Sequence, residues 1–265
     1  MEKTEIEKSI IKKFKKDIWS KFIKAIKDFH LIEDSDVIAV CISGGKDSML
    51  MAKCLEEFKQ HKTVNFDLKY IIMDPGYNEE NMAKIKENST KLNLDPVIFK
   101  SDIFKVTDKI AHDNPCYLCA RMRRGYLYDQ AKKLGCNKIA LGHHLDDVVE
   151  TIVMNLMFNG QYSSMMPKLK SKNFEGMELI RPLYYVKEEI IIKWAKYNSL
   201  DFIDCACYMT KKDLGKRREI KELIKELNQK YQDVDLSIFK SSMNVNLNTV
   251  IKYSDDESHS FLDKY

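Results

Sequence analysis

The chain has 265 residues, of which 44% are hydrophobic and 32% are charged, and its formal net charge is +4. This composition allows a sizeable core and excludes an intrinsically disordered chain, while the small net charge neither requires nor excludes a nucleic-acid partner. The sequence contains no long apolar run, and its N-terminus is charged throughout, so it predicts neither a membrane span nor a secretion signal. We therefore predict a cytoplasmic protein without a membrane partner, whose seven cysteines do not form a disulfide framework.

Alternating strands and helices occupy the first part of the chain. Residues 4–30 carry apolar side chains at three- and four-residue spacing, which predicts an amphipathic helix. Four short apolar runs then predict buried strands, and helical patterns lie between and after them. This order predicts an α/β fold with a doubly wound, mostly parallel sheet that helices cover on both faces. The predicted strands are 35–43, 66–74, 95–100 and 137–142, and the predicted helices are 46–58, 78–92, 119–135 and 145–158.

The pattern changes after residue 160. Residues 159–179 are rich in Lys, Ser and Gly and are predicted to form a loop, and two helices are predicted further on, at 187–198 and 216–231. No clear linker interrupts the chain. We therefore predict an N-terminal helix at 1–30, an α/β domain at 31–185, and a helical C-terminal extension at 186–265 that packs on the same domain.

The stretch SGGKDS lies between the first predicted strand and the helix that follows it. Open α/β sheets bind ligands at the carboxyl ends of their strands, and a helix N-terminus attracts anions. Adjacent glycines let several backbone N–H groups point at one centre, while the lysine adds a charge and the serines add hydroxyl groups. The pattern favours a phosphate site over an ordinary turn with a solvated lysine. The residues of this candidate site are Ser43, Gly44, Gly45, Lys46, Asp47 and Ser48.

This loop resembles the signature of the PP-loop ATP pyrophosphatases. Members of that superfamily use ATP to adenylate an oxygen and release pyrophosphate. The resemblance implies that residues 31–185 form a PP-loop ATP-binding domain, whose loop holds the β- and γ-phosphates as a leaving pyrophosphate. The superfamily includes lysidine synthetase, NAD and GMP synthetases and tRNA thiolases, and the loop alone does not distinguish among them.

A second motif, GHHLDD, follows the fourth predicted strand. Gly142 would let the backbone approach a ligand closely, and His143 is either a ligand contact or a capping residue. Asp146 and Asp147 lie in the first turn of the next helix, where carboxylates either complement the helix dipole or hold Mg²⁺ together with ATP. The motif resembles the GHHxDD segment of the tRNA 2-thiocytidine synthetase (TtcA) group.

Four cysteines have spacings typical of ligands. Cys116 and Cys119 form a C-x-x-C pair at the start of a predicted helix, and Cys205 and Cys207 form a C-x-C pair. Four thiols in a reducing compartment indicate a structural Zn²⁺ or an iron–sulfur cluster, with a redox dithiol and inert burial as further alternatives. The other three, predicted to be small core residues, are Cys41, Cys54 and Cys136.

The resemblance to the TtcA group and its TtuA-type relatives covers most of the chain, from about residue 36 to 245. Those enzymes carry a [4Fe–4S] cluster on a C-x-x-C pair and one later cysteine, which leaves one iron free to accept sulfide. The resemblance therefore implies Cys116 and Cys119 as two ligands, and either Cys205 or Cys207 as the third. The chain lacks the zinc-ribbon cysteines of the TtuA-type proteins, which favours the TtcA-like branch.

Three basic clusters lie near these motifs in the sequence. Each alone is typical of a solvated surface, but together they are predicted to neutralise the phosphates of a folded tRNA. Arg181 is predicted to serve the same surface or a buried ion pair. The clusters are Arg121, Arg123 and Arg124; Lys168, Lys170 and Lys172; and Lys211, Lys212, Lys216, Arg217 and Arg218.

The motifs and the resemblance together predict an ATP-dependent, iron–sulfur tRNA thiolase. ATP is expected at residues 43–48 with Asp74 near its ribose or adenine, and Mg²⁺ is expected on Asp47 or Asp147. A pyrimidine carbonyl oxygen attacks the α-phosphate and sulfur then displaces AMP, with Lys46, Asp47 and Asp147 as the catalytic candidates. Sulfide or a cysteine desulfurase is the expected sulfur donor, and a homodimer is one expected arrangement. The alternatives are a PP-loop ligase similar to lysidine synthetase and a module that binds Zn²⁺ and ATP without thiolating.

Overall fold

The structure is a computed structural model of the chain. It describes the backbone of residues 5–101, 103, 115–203, 210–254 and 258–260, and the side chains of 5–101, 103, 121–203, 215–253 and 259. Cys205 and Cys207 lie outside the described residues, as do the side chains of Cys116 and Cys119.

A six-stranded sheet forms the centre of the molecule. Its strands are β1 (Val37–Ile42), β2 (Asp67–Asp74), β3 (Val97–Lys100), β4 (Lys138–Ala140), β5 (Lys168–Lys170) and β6 (Glu178–Ile180). Their order is β3-β2-β1-β4-β6-β5, and every neighbouring pair is parallel except β5 with β6. The predicted fold class, a doubly wound and mostly parallel sheet, is confirmed.

Helices pack on this sheet and extend beyond it. They are α1 (Glu5–Ile11), α2 (Ser20–Asp28), α3 (Lys46–Gln60), α4 (Glu79–Lys91), α5 (Pro115–Lys133), α6 (Leu145–Asn159), α7 (Glu188–Tyr197), α8 (Thr210–Lys230) and α9 (Val234–Ser241), and a 3₁₀ turn covers Leu247–Thr249. A two-stranded hairpin, β7 (Lys252–Ser254) with β8 (Ser258–Ser260), follows them. Within the described ranges, no helix has both the length and the apolar character to cross a bilayer.

The sheet reverses direction between β1 and β4. From β1 the chain moves outward through β2 to β3, whereas β4 pairs with the other side of β1, with Val40 opposite Ala140. Doubly wound sheets bind ligands in the crevice at such a reversal point, at the carboxyl ends of the strands. The two sequence motifs at 43–48 and 142–147 follow these two strands and therefore face the same crevice.

The N-terminal segment is helical, but it is not the single helix predicted over 4–30. Helix α1 ends at Ile11, a π-helical turn covers Lys15–Trp19, and α2 begins at Ser20. This local change of helical pitch keeps the apolar stripe directed at the core. The buried residues of the stripe are Ile10, Phe14, Ile18, Phe22 and Ile26. They share one core cluster with residues of β1, α3 and α9, while the proposed boundaries at 30 and 185 stay a prediction.

The prediction of a loop over 159–179 was wrong in part. Strand β5 and the first two residues of β6 lie within it, with Leu169 opposite Leu179 in the antiparallel register. Strands of three residues are too short to show an alternating pattern in the sequence. The lysines of β5 are typical of an edge strand, where charged side chains oppose pairing with another chain.

Candidate active site

The turn after β1 requires glycine at Gly44. Its φ is +86°, and a Cβ at this position would lie 2.5 Å from Ile85 Cγ1. Any other residue would therefore strain the backbone and displace its neighbour. Gly45 then stands in an extended conformation at the N-cap of α3. The two glycines together let the chain pass from β1 directly into a helix whose N-terminus faces the crevice.

The serines of the loop fix the turn from within. The backbone N–H of Ser43 donates to Ser48 Oγ at 3.1 Å, and the two hydroxyl oxygens are also 3.1 Å apart. Ser48 Oγ donates in turn to the carbonyl oxygen of Gly45 at 3.0 Å. Ser48 is buried, whereas Ser43 is exposed. Ser48 therefore stabilises the turn, and Ser43 remains accessible to a ligand.

Gly142 brings the end of β4 against this loop. A Cβ at this position would lie 2.9 Å from the backbone N of Ser48 and 3.0 Å from the carbonyl carbon of Asp47. Backbone atoms in a helix cannot move aside cheaply, so the close approach requires glycine. The two motifs, which the sequence places at the ends of neighbouring strands, are thus two walls of one site.

Lys46 is partly buried and lies between two carboxylates. Its Nζ is 3.0 Å from Glu188 Oε1 and 3.3 Å from Asp47 Oδ2. Burial lowers the pKa of Lys46, but Asp47 and Glu188 outweigh burial, and the pKa is raised above its ordinary value. Lys46 is therefore a cation at neutral pH.

His144 lies among three carboxylates. Its Nε2 is 3.8 Å from Asp47 Oδ1 and 3.5 Å from Asp147 Oδ2, and its Nδ1 is 3.5 Å from Asp146 Oδ2. Burial opposes the charged form, but the carboxylates dominate and raise the pKa of His144 to about 9. His144 is therefore an imidazolium at neutral pH, and its charge allows these carboxylates to lie close together.

Helix α8 closes one side of this acidic cluster. Arg217 Nη2 donates to Asp147 Oδ1 at 2.6 Å, and Arg217 Nε donates to Glu150 Oε2 at 2.8 Å. Lys221, one turn further along α8, pairs with Glu188. The guanidinium of Arg217 thus binds carboxylates of the site, and its predicted contact with tRNA stays a prediction.

One carboxylate oxygen of the site accepts no hydrogen bond from the described residues. Asp47 Oδ1 is buried and has no hydrogen-bond partner among the described residues. Burial raises the pKa of Asp47, although His144 and Lys46 lower it. A buried carboxylate oxygen without a hydrogen bond is costly even with the His144 imidazolium 3.8 Å away, and a hard cation such as Mg²⁺ is a suitable partner. In the part of the chain that the structure describes, no group of three or more potential ligands forms a metal site. A cation at Asp47 would therefore need ligands from nucleotide and water.

A cavity of about 300 Å³ opens beside the loop. Its apolar part comes from three strands and α5, and its polar part from the two motifs and two arginines of α5. Arg123 also lies with Nη2 3.5 Å from the Tyr77 hydroxyl. Both arginines, which the sequence predicts to contact tRNA phosphates, line this cavity, and their contact with tRNA stays a prediction. The lining residues are Cys41, Ile42, Ser43, Asp47, Ser48, Met73, Arg123, Arg124, Leu127, Leu141, Gly142 and His143.

His143 also lines that cavity, and its charge state differs from that of His144. Burial, and after it the charge of Arg181, lower the pKa of His143 to about 4. His143 is therefore neutral at pH 7, while the adjacent His144 is charged. The sequence alone gave no reason to treat the two histidines differently.

Asp74 ends β2, at the same edge of the sheet. Its Oδ1 accepts hydrogen bonds from the backbone N–H groups of Gly76 and Tyr77, at 2.9 and 2.8 Å. Asp74 thus holds the turn whose Tyr77 contacts Arg123. Its expected contact with ribose or adenine stays a prediction.

The cysteines predicted as core residues are buried. Burial raises the pKa of each thiol, that of Cys136 to about 11. They are therefore protonated at neutral pH and are poor metal ligands, because metals bind the thiolate. The buried cysteines are Cys41, Cys54 and Cys136.

Both segments with ligand-like cysteines lead into helices of the site. Cys116 and Cys119 fall in the first turns of α5, the helix that brings Arg123 into the cavity. Residues 204–209, which include the second cysteine pair, precede α8 with its Arg217. A helix N-terminus also favours the thiolate form. The donor set is suited to an iron–sulfur cluster, although the four side chains themselves lie outside the described residues.

Glu188 is a site residue that the sequence did not predict. It follows Lys46 by 142 positions, at the first residue of α7. Its backbone N–H donates to Asp146 Oδ2 at 2.7 Å, so the start of α7 is fixed to the second motif. No spacing in the sequence connects Glu188 with the loop; only the packing of α7 against α3 does.

Comparison with known proteins agrees with this geometry. A family model described as the PP-loop domain matches residues 14–233. A tRNA-cytidine(32) 2-sulfurtransferase of Geobacter metallireducens is 38% identical over 226 residues, which cover 84% of this chain and 87% of that protein. The enzyme of the same name from Acinetobacter baumannii is 37% identical over 226 residues, covering 83% of this chain and 73% of the relative. The chain belongs to this PP-loop family of tRNA sulfurtransferases. The family predicted from the two motifs and the cysteine pair is confirmed.

The fold of the tRNA sulfurtransferase also matches a solved structure. The U34-tRNA thiolase NcsA from Methanococcus maripaludis, determined with its [4Fe-4S] cluster, superimposes with a TM-score of 0.69. The match covers 84% of this chain and 76% of that chain at 24% sequence identity. At this identity the likeness establishes the shared PP-loop α/β fold.

Proposed function

We propose that this chain is an ATP-dependent tRNA-cytidine 2-sulfurtransferase, which acts on the position named for its relatives, cytidine 32. The observation that carries the proposal is the contact between Gly142 and the loop at 43–48. This contact places a turn of the phosphate-binding type, the cation Lys46 and several carboxylates around one cavity.

The nucleotide is assigned to the crevice between β1 and β4. The turn from Ser43 to Ser48 would hold the β- and γ-phosphates through backbone N–H groups at the N-terminus of α3. Lys46 would exchange its contacts with carboxylates for the pyrophosphate. Asp74, one strand away, would lie on the ribose or adenine side. These roles follow from position in the fold together with the family.

Mg²⁺ is assigned to Asp47 in preference to Asp147. The two carboxylates lie close to the same imidazolium, but they differ in their partners. Both oxygens of Asp147 accept hydrogen bonds, from Arg217 and from the backbone N–H of His144. Asp47 Oδ1 has none among the described residues. Asp47 therefore has the oxygen that an ion can take without breaking existing bonds.

The reaction would proceed in two displacements, the first at phosphorus and the second at carbon. The pyrimidine carbonyl oxygen would attack the α-phosphorus, and the P–O bond to pyrophosphate would break, with Lys46 stabilising the leaving charge. When bound at Asp47, Mg²⁺ would supply further positive charge at the phosphates. Sulfide would next add to the activated carbon, and the C–O bond would break with AMP leaving with its electron pair. Adenylation is needed because the oxygen of an amide-like carbonyl is a poor leaving group.

A [4Fe–4S] cluster is assigned to Cys116, Cys119 and either Cys205 or Cys207. When bound, it would supply the sulfur that displaces AMP. This assignment is supported by the two helices, α5 and α8, which bring residues adjoining both cysteine pairs into the nucleotide site. A closed zinc site on all four thiolates would have no position for sulfur.

The remaining partners follow from this chemistry. tRNA is the substrate, and Arg218, exposed on α8 and paired only with Glu222 among the contacts of the described residues, remains a candidate for phosphate contact. Sulfide or a cysteine desulfurase as the sulfur donor, a homodimer and a cytoplasmic location remain predictions.

The proposal can be tested with anaerobically prepared protein and tRNA that lacks 2-thiocytidine. We expect ATP- and tRNA-dependent release of pyrophosphate, together with 2-thiocytidine detected by mass spectrometry of the tRNA nucleosides. We also expect brown protein with about four irons per chain. Pyrophosphate release without thiolation by a colourless protein would favour a PP-loop ligase and contradict the proposal.

Variants of the cysteines test the cluster assignment. Cys116→Ala and Cys119→Ala should each lose iron and thiolation together, and so should one of Cys205→Ala and Cys207→Ala. The matched control is Cys136→Ala, a buried cysteine that should keep both iron and activity. One zinc and no iron in an active preparation would overturn the cluster.

A further inference from the structure

Arg181 is a buried arginine whose side chain contacts His143, and His143 in turn lines the cavity. Arg181 follows β6 and is 5% exposed. Its backbone N–H donates to the carbonyl oxygen of Pro167 at 2.9 Å, and its Nη1 donates to the carbonyl oxygen of Met166. Its Nε donates to Nδ1 of His143 at 3.2 Å. The guanidinium is thus held on one side by backbone and directed at one imidazole nitrogen on the other.

This contact determines which nitrogen of His143 carries its proton. A guanidinium has only donors, so the nitrogen that it faces must be an acceptor. A neutral imidazole has one protonated and one unprotonated nitrogen, and with Nδ1 unprotonated the proton must be on Nε2. The lowered pKa of His143, about 4, keeps the ring neutral at pH 7. His143 is therefore fixed as one of its two tautomers.

The fixed tautomer presents a donor to the cavity. His143 lines the cavity together with Ser43, Asp47 and Ser48 of the phosphate-type loop. Nδ1 accepts a hydrogen bond from Arg181, whereas no protein acceptor for Nε2 appears among the contacts of the described residues. A neutral N–H at this place can bind a ligand oxygen without losing its proton when that oxygen gains charge.

We propose that Arg181 is a positioning residue that fixes His143 in the Nε2–H tautomer, so that His143 donates a hydrogen bond to a phosphate oxygen of the bound nucleotide. The proposal rests on the proposed function, because it deepens the role of the same site. Phosphate is the ligand class because the same cavity is lined by Ser43, Asp47 and Ser48, at the N-terminus of α3, where backbone N–H groups attract anions. Arg181 itself acts through His143 rather than on the nucleotide.

Glutamine and asparagine at position 143 separate the two tautomers. The amide N–H of glutamine reaches about as far as Nε2 of histidine, whereas that of asparagine lies near Nδ1. We expect His143→Asn to lose about 100-fold in kcat for tRNA-dependent pyrophosphate release, as is typical when one transition-state donor is removed, and His143→Gln to lose clearly less because it keeps a donor near the position of Nε2. Equal losses in both variants would contradict the proposed donor.

A double-mutant cycle then tests Arg181. Arg181→Met should lower kcat about 10–100-fold in the wild-type background, because the orientation and tautomer of the ring are lost. In the His143→Gln background the same substitution should cost less than about 3-fold, because glutamine has no acceptor at the position of Nδ1 for Arg181 to hold. An equal loss in both backgrounds would mean that Arg181 is only structural, and would overturn the proposal. Arg181→Gln, which keeps an N–H donor without the charge, should recover part of the activity that Arg181→Met loses.

A second readout does not depend on turnover. ¹⁵N spectra of protein with labelled histidine distinguish Nδ1–H from Nε2–H imidazoles, and His143→Gln assigns the signal. We expect a neutral Nε2–H signal for His143 in the wild type, and a mixture of tautomers in Arg181→Met. An Nδ1–H signal in the wild type would refute the inference even if thiolation is observed. Conversely, wild-type protein without ATP- and tRNA-dependent chemistry but with the Nε2–H signal would refute the proposed function and leave the tautomer assignment standing.

Discussion

Two lysines lie at opposite ends of the central sheet, and both are surrounded by carboxylates. Lys138, at the amino end of β4, is 2% exposed, and its Nζ is 2.7 Å from Asp36 Oδ2 and 3.3 Å from Glu33 Oε2. Lys46, at the start of α3, is 25% exposed and lies between Asp47 and Glu188. By composition the two clusters look alike, so a search for charged groups would not separate them.

Their environments differ in what is left unsatisfied. Asp36, the nearest partner of Lys138, also accepts hydrogen bonds from the backbone of Glu33 and from Asn137. Beside Lys46, by contrast, Asp47 Oδ1 has no hydrogen-bond partner among the described residues, and Gly44 and Gly142 keep the backbone in conformations or contacts that only glycine permits. The first cluster is complete as a structural unit, while the second is complete only with a ligand.

Substitution of the two lysines by methionine should separate these roles, and the larger effect on activity is expected at Lys46. Lys46→Met should lower kcat/KM for ATP-dependent pyrophosphate release by about 10²–10³-fold, roughly 3 kcal/mol, because a positioned charge on the leaving group is lost. The free energy of unfolding should change by less than about 1 kcal/mol, because Glu188 keeps Lys221 as a partner. Near-normal turnover in this variant would contradict the assignment of Lys46.

Lys138→Met should show the reverse pattern. Removing the buried cation leaves Asp36, itself 5% exposed, without its charge partner, and such losses typically cost about 3 kcal/mol of folding stability. Activity per mole of folded protein should stay within about 2-fold of the wild type, because the cluster lies away from the crevice. Denaturant unfolding and turnover at a temperature below the transition measure the two quantities. A variant that folds normally but has lost activity would show that this end of the sheet is also functional.

The sequence predicted the parts of the site that lie close together along the chain. The glycine loop and the GHHLDD motif each occupy six consecutive residues, and the strand ends before them predict that they face the same crevice. Glu188, Arg181 and Lys221 could not be predicted in their roles, because they reach the site through the packing of α7, β6 and α8. The basic clusters show the same limit, since charge in a sequence does not reveal whether Arg123 and Arg217 face solvent or the cavity. The π-helical turn near the N-terminus was not predictable either, because it leaves the apolar spacing of the segment unchanged.

The unsatisfied oxygen of Asp47 gives a smaller and more specific prediction. Asp47→Asn should raise the Mg²⁺ concentration needed for half-maximal pyrophosphate release by about 10-fold, because one charged ligand is replaced by a neutral one. Asp147→Asn is the matched comparison, and it should shift the Mg²⁺ requirement less, since Arg217 and the His144 backbone already occupy its oxygens. A larger shift for Asp147→Asn than for Asp47→Asn would reverse the assignment of the ion.

The last prediction concerns the pH dependence of stability at His143. Burial and the charge of Arg181 lower the pKa of His143 to about 4, from an ordinary value of 6.5. The unfolded chain therefore takes up a proton at this residue before the folded protein does, so the stabilisation is fully present above pH 6.5 and is lost as the pH falls towards 4. Relative to His143→Gln, which cannot titrate there, the wild type should lose about 1–2 kcal/mol of unfolding free energy between pH 7 and 5. Urea unfolding of both proteins at each pH measures this difference, in which the carboxylates common to both cancel. Parallel pH profiles would mean that His143 is not held neutral by its surroundings, and the contrast with the charged His144 beside it would then lose its physical basis.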